Sequence, residues 1–330
     1  MAAIVRTDGL TKDFFTGFWR PRPYRALNGL SFEIPEGGVF GLLGPNGAGK
    51  STTLKLLLDL LRPTAGRAEL FGRPPGDTAA RQRLGFLPEN PTFYDYLSAD
   101  ELLRYFAGLF GYTSADCRQR AARVLDRAGL SAADRQRPLR QYSKGMVQRV
   151  GLAQALVNDP ELVILDEPMS GLDPVGRREV REIIVDLRAQ GRTVLFSSHI
   201  LSDAESLCDR VGILARGRLV AAGVVETLTA GAASGFEIVA AGVTEEAVKR
   251  LTPRVARVTR LAAQRVSFVL DGQGHAAQGP ESLIAELAAA GATLISVSPL
   301  RTTLEDVFMR ALGEASPPAE PVAAAGGRGR

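Results

Sequence analysis

Short apolar runs alternate with helical patterns through the first two thirds of the chain. The runs at residues 39–43, 162–165 and 193–196 have the length of buried strands. Residues 50–61 are predicted to be a helix, because four leucines recur with helical spacing, at Leu54, Leu57, Leu58 and Leu61. A second helix is predicted from Val180 to Leu187, with its end near Gly191. Buried strands that alternate with helices indicate a parallel sheet covered on both faces.

The pattern changes near Gly223. Strands are predicted at 236–239, 255–261, 265–270 and 293–297, and helices at 244–251, 281–289 and 303–312. The first six of these elements follow a β-α-β-β-α-β order, which is compatible with a ferredoxin-like sandwich. Thr302 and Glu305 have the spacing of a capping box for the last helix.

Composition places the chain among ordinary globular proteins. Of its 330 residues, 45% are hydrophobic and 23% are charged. No apolar stretch approaches the roughly 18 to 20 residues that span a bilayer, and no secretory signal is recognised, so a cytoplasmic protein is expected. Cys117 and Cys208 have no metal-binding spacing and are expected to be packed or reduced thiols, and His199 and His275 are too few for a histidine-rich metal site.

The excess of positive charge is local. The net charge is +4, and the segment from Asp116 to Arg149 contains nine basic residues and only three acidic ones. A solvated helix face explains most of this segment, and a basic surface near anionic ligands or lipid headgroups is the alternative.

A phosphate-binding motif lies between the first predicted strand and helix. Residues 44–51 read GPNGAGKS and satisfy the pattern GxxxxGK[ST]. Glycines allow the backbone N–H groups to face phosphate oxygens, and the helix N-terminus adds positive character. Lys50 is predicted to neutralise the β- and γ-phosphates, and the Ser51 hydroxyl to bind Mg²⁺.

Two carboxylates follow the second buried strand. Asp166 ends the apolar run at 162–165 and is predicted to hold Mg²⁺, because ligands bind at the C-terminal ends of parallel strands. Glu167 comes next and is predicted to orient and deprotonate the attacking water.

With these motifs the chain resembles the ATP-binding subunit of an ABC transporter, of the ABC-2 exporter type with a C-terminal extension. The match runs over about 4–223, and residues 142–149 (YSKGMVQR) are similar to the family signature. Lys144 stands where a glycine is usual, and Met146 where a glutamine is usual. The resemblance implies that Ser143 and Gly145 touch the γ-phosphate held by a second subunit.

The resemblance also assigns further residues. Asp173 lies in the equivalent of the D-loop at 170–174, and His199 matches the switch histidine that contacts the γ-phosphate. Glu89 stands where a glutamine is usual, and its carboxylate could strengthen Mg²⁺ binding or slow hydrolysis. Phe14 is the best match for the aromatic residue that stacks on adenine, with Tyr24 as the alternative.

The predicted fold is α/β. A P-loop nucleotide-binding domain at 1–225, with a helical subdomain at about 91–141, precedes a smaller α+β (ferredoxin-like) domain at 226–313 and a disordered tail at 314–330. The predicted ATP-binding residues are Phe14, Gly44, Pro45, Asn46, Gly47, Ala48, Gly49, Lys50, Ser51 and Thr52. Those acting in trans are Ser143, Gly145 and Asp173, the catalytic residues are Glu167 and His199, and the Mg²⁺ ligands are Ser51, Glu89 and Asp166.

The implied function is ATP hydrolysis in a homodimer that encloses two ATP molecules and drives a separate membrane permease, from the inner face of the membrane, to export a substrate. Nucleic acid is not an expected partner. Two alternatives stay open: a permease-free ATPase of the same type that acts on nucleic acid or ribosomes, and a regulatory module that binds nucleotide but hydrolyses it poorly.

Overall fold

The computed structural model describes residues 3–16, 22–230, 235–271, 279–300 and 302–314. These residues form two compact units: one contains the chain up to Val225 and the described residues from Phe308 onward, and the other contains Glu226–Val307. Phe18, Trp19 and His275, and the predicted disordered tail after residue 314, lie outside the described residues.

The first unit contains two sheets. The strands are β1 (Ala3–Thr16), β2 (Arg22–Pro35), β3 (Gly38–Leu43), β4 (Ala65–Leu70), β5 (Leu84–Leu87), β6 (Leu162–Leu165), β7 (Thr193–Ser198), β8 (Arg210–Ala215) and β9 (Arg218–Val224). β2, β1 and β4 form an antiparallel sheet. The other sheet has the order β5-β6-β7-β3-β8-β9, in which the first five strands are parallel and β9 is antiparallel. The parallel sheet predicted from the apolar runs is therefore confirmed.

The helices of the first unit are α1 (Lys50–Leu57), α2 (Thr78–Gln82), α3 (Ala99–Leu109), α4 (Ser114–Arg127), α5 (Ala132–Arg135), α6 (Lys144–Leu156), α7 (Pro174–Ala189) and α8 (Leu201–Leu207). Helix α9 (Val225–Thr229) begins at the boundary between the two units. Helices α6, α7 and α8 pack against the parallel sheet, whereas α3, α4 and α5 pack against other helices. Leucines of α1 pack in one apolar core with side chains of β3, β6 and β7, including Leu42, Ile164 and Leu195. The chain between β5 and β6 forms α3 to α6.

The second unit has the strand order of a ferredoxin-like sandwich. Its elements are β10 (Gly235–Ala241), α10 (Glu245–Leu251), β11 (Arg257–Leu261), β12 (Arg265–Asp271), α11 (Gly279–Ala289), β13 (Thr293–Pro299) and the start of α12 (Leu304–Glu314). The antiparallel sheet has the order β11-β12-β10-β13. Ile238 and Phe268 of the sheet pack against Leu283 and Leu287 of α11. The predicted β-α-β-β-α-β order is confirmed.

Two local expectations were wrong. Helix α1 ends at Leu57 rather than Leu61, because Asp59 adopts a left-handed conformation (φ 54°) that stops the helix. The cap of α12 lies one residue later than predicted: Thr303 N–H donates to Asp306 Oδ2 (2.8 Å), and Asp306 N–H donates to Thr303 Oγ1 (3.2 Å). Asp306 is near enough to close the box, whereas the prediction assumed the more usual glutamate.

Leu102, Leu103, Phe106 and Leu109 have the spacing of one apolar face of α3, and most of this face is at least partly buried. Leu102 and Leu103 are fully buried, but Leu109 at the end of the helix is 65% exposed. Helical spacing identifies a common face, whereas burial depends on what the rest of the fold places over it.

Neither cysteine is paired. Cys117 and Cys208 are buried free thiols, and burial raises the pKa of Cys208. None of the described helices combines the length and the apolar character that a bilayer crossing requires.

Candidate functional site

Four neighbouring strands end at the same edge of the parallel sheet, and each is followed by one of the motifs. The phosphate loop follows β3, Asp166 and Glu167 follow β6, His199 follows β7, and Glu89 follows β5 by two residues. The strand order β5-β6-β7-β3 therefore brings together residues that are more than 100 positions apart in sequence. This is the edge at which open parallel sheets bind their ligands.

The phosphate loop can adopt its tight turn because of its glycines. Gly44 has φ 146°, and a Cβ atom there would come within 2.2 Å of the Leu214 carbonyl oxygen. Gly49 has φ 109° and precedes the first residue of α1. Lys50 is buried, and its Nζ donates to the carbonyl oxygens of Gly44 (2.7 Å) and Pro45 (3.3 Å), so the lysine holds the loop around itself.

A cavity of about 430 Å³ opens beside this loop. Tyr24, Ala26 and Ser170 line this cavity. So do most of the residues predicted to bind the nucleotide within one chain, namely Phe14, Asn46, Gly47, Ala48, Gly49, Lys50, Ser51, Thr52, Glu89, Glu167 and His199. Asp166 is adjacent, since its Oδ1 lies 3.3 Å from Ser51 Oγ. The cis residues predicted from separate motifs thus surround one space.

Glu167 lies between a lysine and a histidine. Its Oε1 is 3.2 Å from Lys50 Nζ, and its Oε2 is 2.8 Å from His199 Nδ1. Glu167 also has a left-handed backbone (φ 48°), a conformation that costs a non-glycine residue about 1 to 3 kcal/mol. A buried carboxylate held in this way, beside a phosphate loop, is suited to accept a proton from water.

Ser197 is a site residue that the sequence analysis did not assign. It is fully buried, its hydroxyl donates to Asp166 Oδ1 (2.6 Å), and its Oγ accepts from the Glu167 N–H (2.8 Å). One hydroxyl therefore orients both carboxylate residues. The only signal in the sequence was a serine at the end of a buried strand, two residues before His199.

The two candidate aromatic residues are neighbours. Phe14 of β1 pairs directly with Tyr24 of β2 across the strands, and both line the cavity. Lys12 Nζ lies 5.2 Å from the centre of the Phe14 ring and donates to the Arg62 carbonyl oxygen (2.8 Å). The Phe14 ring therefore contacts a cation that is itself held by the backbone. Phe15 is 72% exposed and is not part of the cavity wall.

The residues predicted to act in trans line a different cavity. Ser143, Gly145 and Asp173 surround a space of about 420 Å³, together with Lys144 and Gly171. None of these five residues lines the cavity beside the phosphate loop. A single chain therefore has the two groups of motif residues on separate walls.

Two of the residues predicted to act in trans lie at the beginnings of helices. Ser143 caps α6, with Oγ accepting from Met146 N–H (3.3 Å), and Asp173 caps α7, with Oδ1 accepting from Gly176 N–H (2.8 Å). Tyr142 is fixed by a hydrogen bond from its hydroxyl to the Asp134 carbonyl oxygen (2.5 Å). Burial, and secondarily the charge of Asp134, raise the pKa of Tyr142, so the phenol keeps the proton that it donates.

A buried glutamine joins α6 to the segment that follows β6. Gln148 of α6 donates from Nε2 to the carbonyl oxygen of Pro168 (3.2 Å), which directly follows Glu167. The sequence analysis did not predict this contact. It connects α6, which begins in the segment 142–149, directly to the segment that carries Asp166 and Glu167.

Comparisons with known proteins agree with this geometry. A family model described as ABC transporter matches residues 27–170. The chain is 45% identical over 314 residues, covering 95% of this chain and 86% of the relative, to an uncharacterized ABC transporter ATP-binding protein of Synechocystis sp.. It is 44% identical over 221 residues, or 66% of this chain and 70% of the relative, to the fluoroquinolones export ATP-binding protein of Mycobacterium tuberculosis.

A solved structure supports the same relationship. The post-hydrolysis dimer of the ATP-binding cassette MJ0796, bound to ADP and Pi, matches with a TM-score of 0.61 and 25% identity, covering 67% of this chain and 98% of that one. Since the phosphate loop, the carboxylates and the signature segment are all present, the chain belongs to the ATP-binding proteins of ABC transporters and is an ATPase of that family.

Proposed function

We propose that two copies of this chain enclose two ATP molecules, hydrolyse them, and drive a membrane permease that exports a substrate from the cytoplasm. The observation that carries this proposal is the position of Glu167, which lies between Lys50 and His199 beside the phosphate loop. The proposal also fits the relative from Mycobacterium tuberculosis, which is named for fluoroquinolone export.

Lys50 has a role in both nucleotide binding and charge balance. Its ammonium contacts the Glu167 carboxylate in this structure, and a triphosphate competes for the same cation. When the phosphates take up Lys50, Glu167 loses one partner and keeps His199. A carboxylate that is released from its lysine is a better proton acceptor, so phosphate binding prepares the base for water.

The residues present fit a magnesium ion. Ser51 Oγ and Asp166 Oδ1 are two possible metal ligands that lie only 3.3 Å apart. Mg²⁺ prefers one or two protein oxygen ligands together with phosphate and water. Among the described residues no group of three or more His, Cys, Asp or Glu could hold a metal alone, so the ion would share its ligands with the nucleotide. Bound Mg²⁺ neutralises phosphate charge, and Glu89 lies in the same cavity wall.

Phe14 is proposed to stack on adenine. Replacing Phe14 by Ala is expected to weaken ATP binding by about tenfold, because base stacking on an aromatic ring contributes about 1 to 3 kcal/mol. Fluorescence titration with a labelled ATP analogue measures the loss. The matched control is Phe15→Ala, which removes a neighbouring ring outside the cavity. If Tyr24→Ala loses tenfold and Phe14→Ala loses nothing, the stacking residue is Tyr24.

The proposed permease contact is an exposed aromatic cluster, formed by the segment before α3 and by α3 itself. Tyr94, Tyr96 and Tyr105 are each at least half exposed, and their rings contact one another or Phe106. Exposed aromatic rings of this density are typical of protein interfaces. The cluster begins five residues after Glu89, so a partner bound there is connected to the nucleotide cavity by a short segment.

Capture of the partner tests this function. A tagged full-length chain purified from gently solubilised membranes is expected to bring down an integral membrane protein, and Tyr94→Ala/Tyr96→Ala is expected to lose it because the aromatic contact is removed. Phe15→Ala, an exposed ring outside the cluster, is the control. Thermal unfolding checks that the variants are folded. Capture of nucleic acid or ribosomes instead, with binding that weakens steeply with salt, would favour the permease-free alternative.

A further inference from the structure

The nucleotide cavity of one chain has an excess of negative charge. Glu89 and Glu167 line it and Asp166 lies beside it, whereas Lys50 is the one lysine or arginine in its wall, as far as the described residues show. Glu167 is balanced by Lys50, but Glu89 is exposed and makes no ion pair or hydrogen bond within the described part of the chain. A triphosphate keeps a net negative charge even with one Mg²⁺ bound, so Glu89 is an unfavourable neighbour unless a further cation approaches it.

Lys144 presents the opposite imbalance in the second cavity. It is the first residue of α6, where the helix dipole disfavours a cation. Four of the basic residues between 116 and 149 pair with carboxylates, namely Arg127, Arg135, Arg137 and Arg149. Lys144 is exposed and has no carboxylate within 4 Å in the described ranges. Its charge is therefore uncompensated by the residues that the structure describes.

The second cavity holds the Lys144 ammonium in a defined place. Its Nζ lies 2.6 Å from the point that a Cβ atom on Gly171 would occupy, and Gly171 has φ 69°. The lysine thus lies close to the backbone of the segment that leads to Asp173, and both line the second cavity. Lys144 does not line the nucleotide cavity of its own chain.

We propose that Lys144 of one subunit and Glu89 of the other form a charge-complementary pair across the closed dimer, at the γ-phosphate end of the nucleotide. The inference rests on the head-to-tail dimer proposed above, in which Ser143 and Gly145 meet the partner's nucleotide. Lys144 lies between these two residues in sequence, and Glu89 lies in the wall that they would close. Lys144 then acts as a positioning residue that lets Glu89 and the triphosphate occupy one site.

A double-mutant cycle on the full-length chain tests the pair. Lys144→Gln is expected to raise the KM for Mg·ATP about tenfold, because Glu89 then repels the nucleotide without compensation. Glu89→Gln/Lys144→Gln is expected to return the KM to within about threefold of wild type, because both charges are gone. The matched controls are Lys249→Gln and Glu246→Gln, which neutralise exposed charges on α10.

A mixed dimer tests whether the pair forms between subunits. In a dimer of the wild-type chain with a Glu89→Lys/Lys144→Glu chain, one site has two positive members and the other has two negative members if pairing is in trans. This heterodimer is expected to be less active than the homodimer of the doubly reversed chain. Equal activities would contradict pairing between subunits.

The outcomes separate this inference from the proposed function. Loss of turnover in Glu167→Gln reports on the ATPase mechanism and does not depend on Lys144. If that loss is observed and the effects of Glu89→Gln and Lys144→Gln are additive, the charge pair is wrong while the ATPase mechanism stands. If Glu167→Gln retains turnover, the proposed mechanism and the pair that rests on it are both wrong.

Discussion

Glu167→Gln is expected to bind Mg·ATP normally and to lose about 10²- to 10⁴-fold in kcat, the usual contribution of a general base. The amide keeps the size of the side chain and can still meet Lys50 and His199, whose atoms lie 3.2 and 2.8 Å from the two carboxylate oxygens. What it loses is the ability to accept a proton. Steady-state release of phosphate measures the loss, and equilibrium dialysis measures the retained binding.

The same variant is expected to accumulate as an ATP-bound dimer. In the dimer proposed above, closure requires two bound nucleotides and reopening requires their hydrolysis, so a chain that binds but does not hydrolyse is expected to stay closed. Sedimentation with and without Mg·ATP detects the dimer. Glu205→Gln is the matched control, because Glu205 is an exposed glutamate on α8. Turnover of Glu167→Gln near that of Glu205→Gln would contradict the role of Glu167 as the base.

Lys50→Ala and Gly145→Asp are each expected to be inactive as homodimers and to recover activity when mixed. Lys50→Ala removes the cation of the phosphate loop, and Gly145→Asp directs a carboxylate at the partner's γ-phosphate. The fold has room for this second change: a Cβ at Gly145 would have its nearest neighbour, Leu172, at 3.7 Å. Gly145→Asp is therefore expected to act on the chemistry and to leave the fold intact.

The recovery follows from the composite site. A heterodimer has one site with both defects and one with neither, so random mixing is expected to restore about a quarter of wild-type turnover. Gly108→Asp is the control for a carboxylate added to a helical glycine, since nothing lies within 4 Å of its Cβ position. Capture through two different tags verifies that heterodimers form. Inactive mixtures despite heterodimer formation would mean that sites are not composite or do not work independently.

The sequence was most informative where chemistry depends on adjacent residues. The phosphate loop needs its glycines, Lys50 and Ser51 in a fixed local order, and Asp166 and Glu167 follow one buried strand directly. Such segments carry their own geometry, so the nature of the site could be predicted without the fold. The strand and helix order of both units followed from hydrophobic periodicity for the same reason.

Predictions of local details failed where several neighbouring residues could take the same role. The cap of α12 uses Thr303 rather than Thr302, and α1 ends four residues early, because small differences in backbone conformation decide each helix end. Leu109 has the spacing of a core residue and is exposed. In each case the residue pattern was compatible with more than one local arrangement.

Only the tertiary structure determined how the motifs meet. The order β5-β6-β7-β3 places Glu89, Glu167, His199 and the phosphate loop at one edge, and Ser197 orients Asp166 and Glu167. The register of β1 with β2 makes Phe14 and Tyr24 neighbours, and the two cavities separate Lys144 from Lys50. The sequence alone determined which chemical groups are available and the local turns that present them. Their pairing depends on non-local strand contacts, which are set by packing of the whole sheet and are not encoded in any single segment.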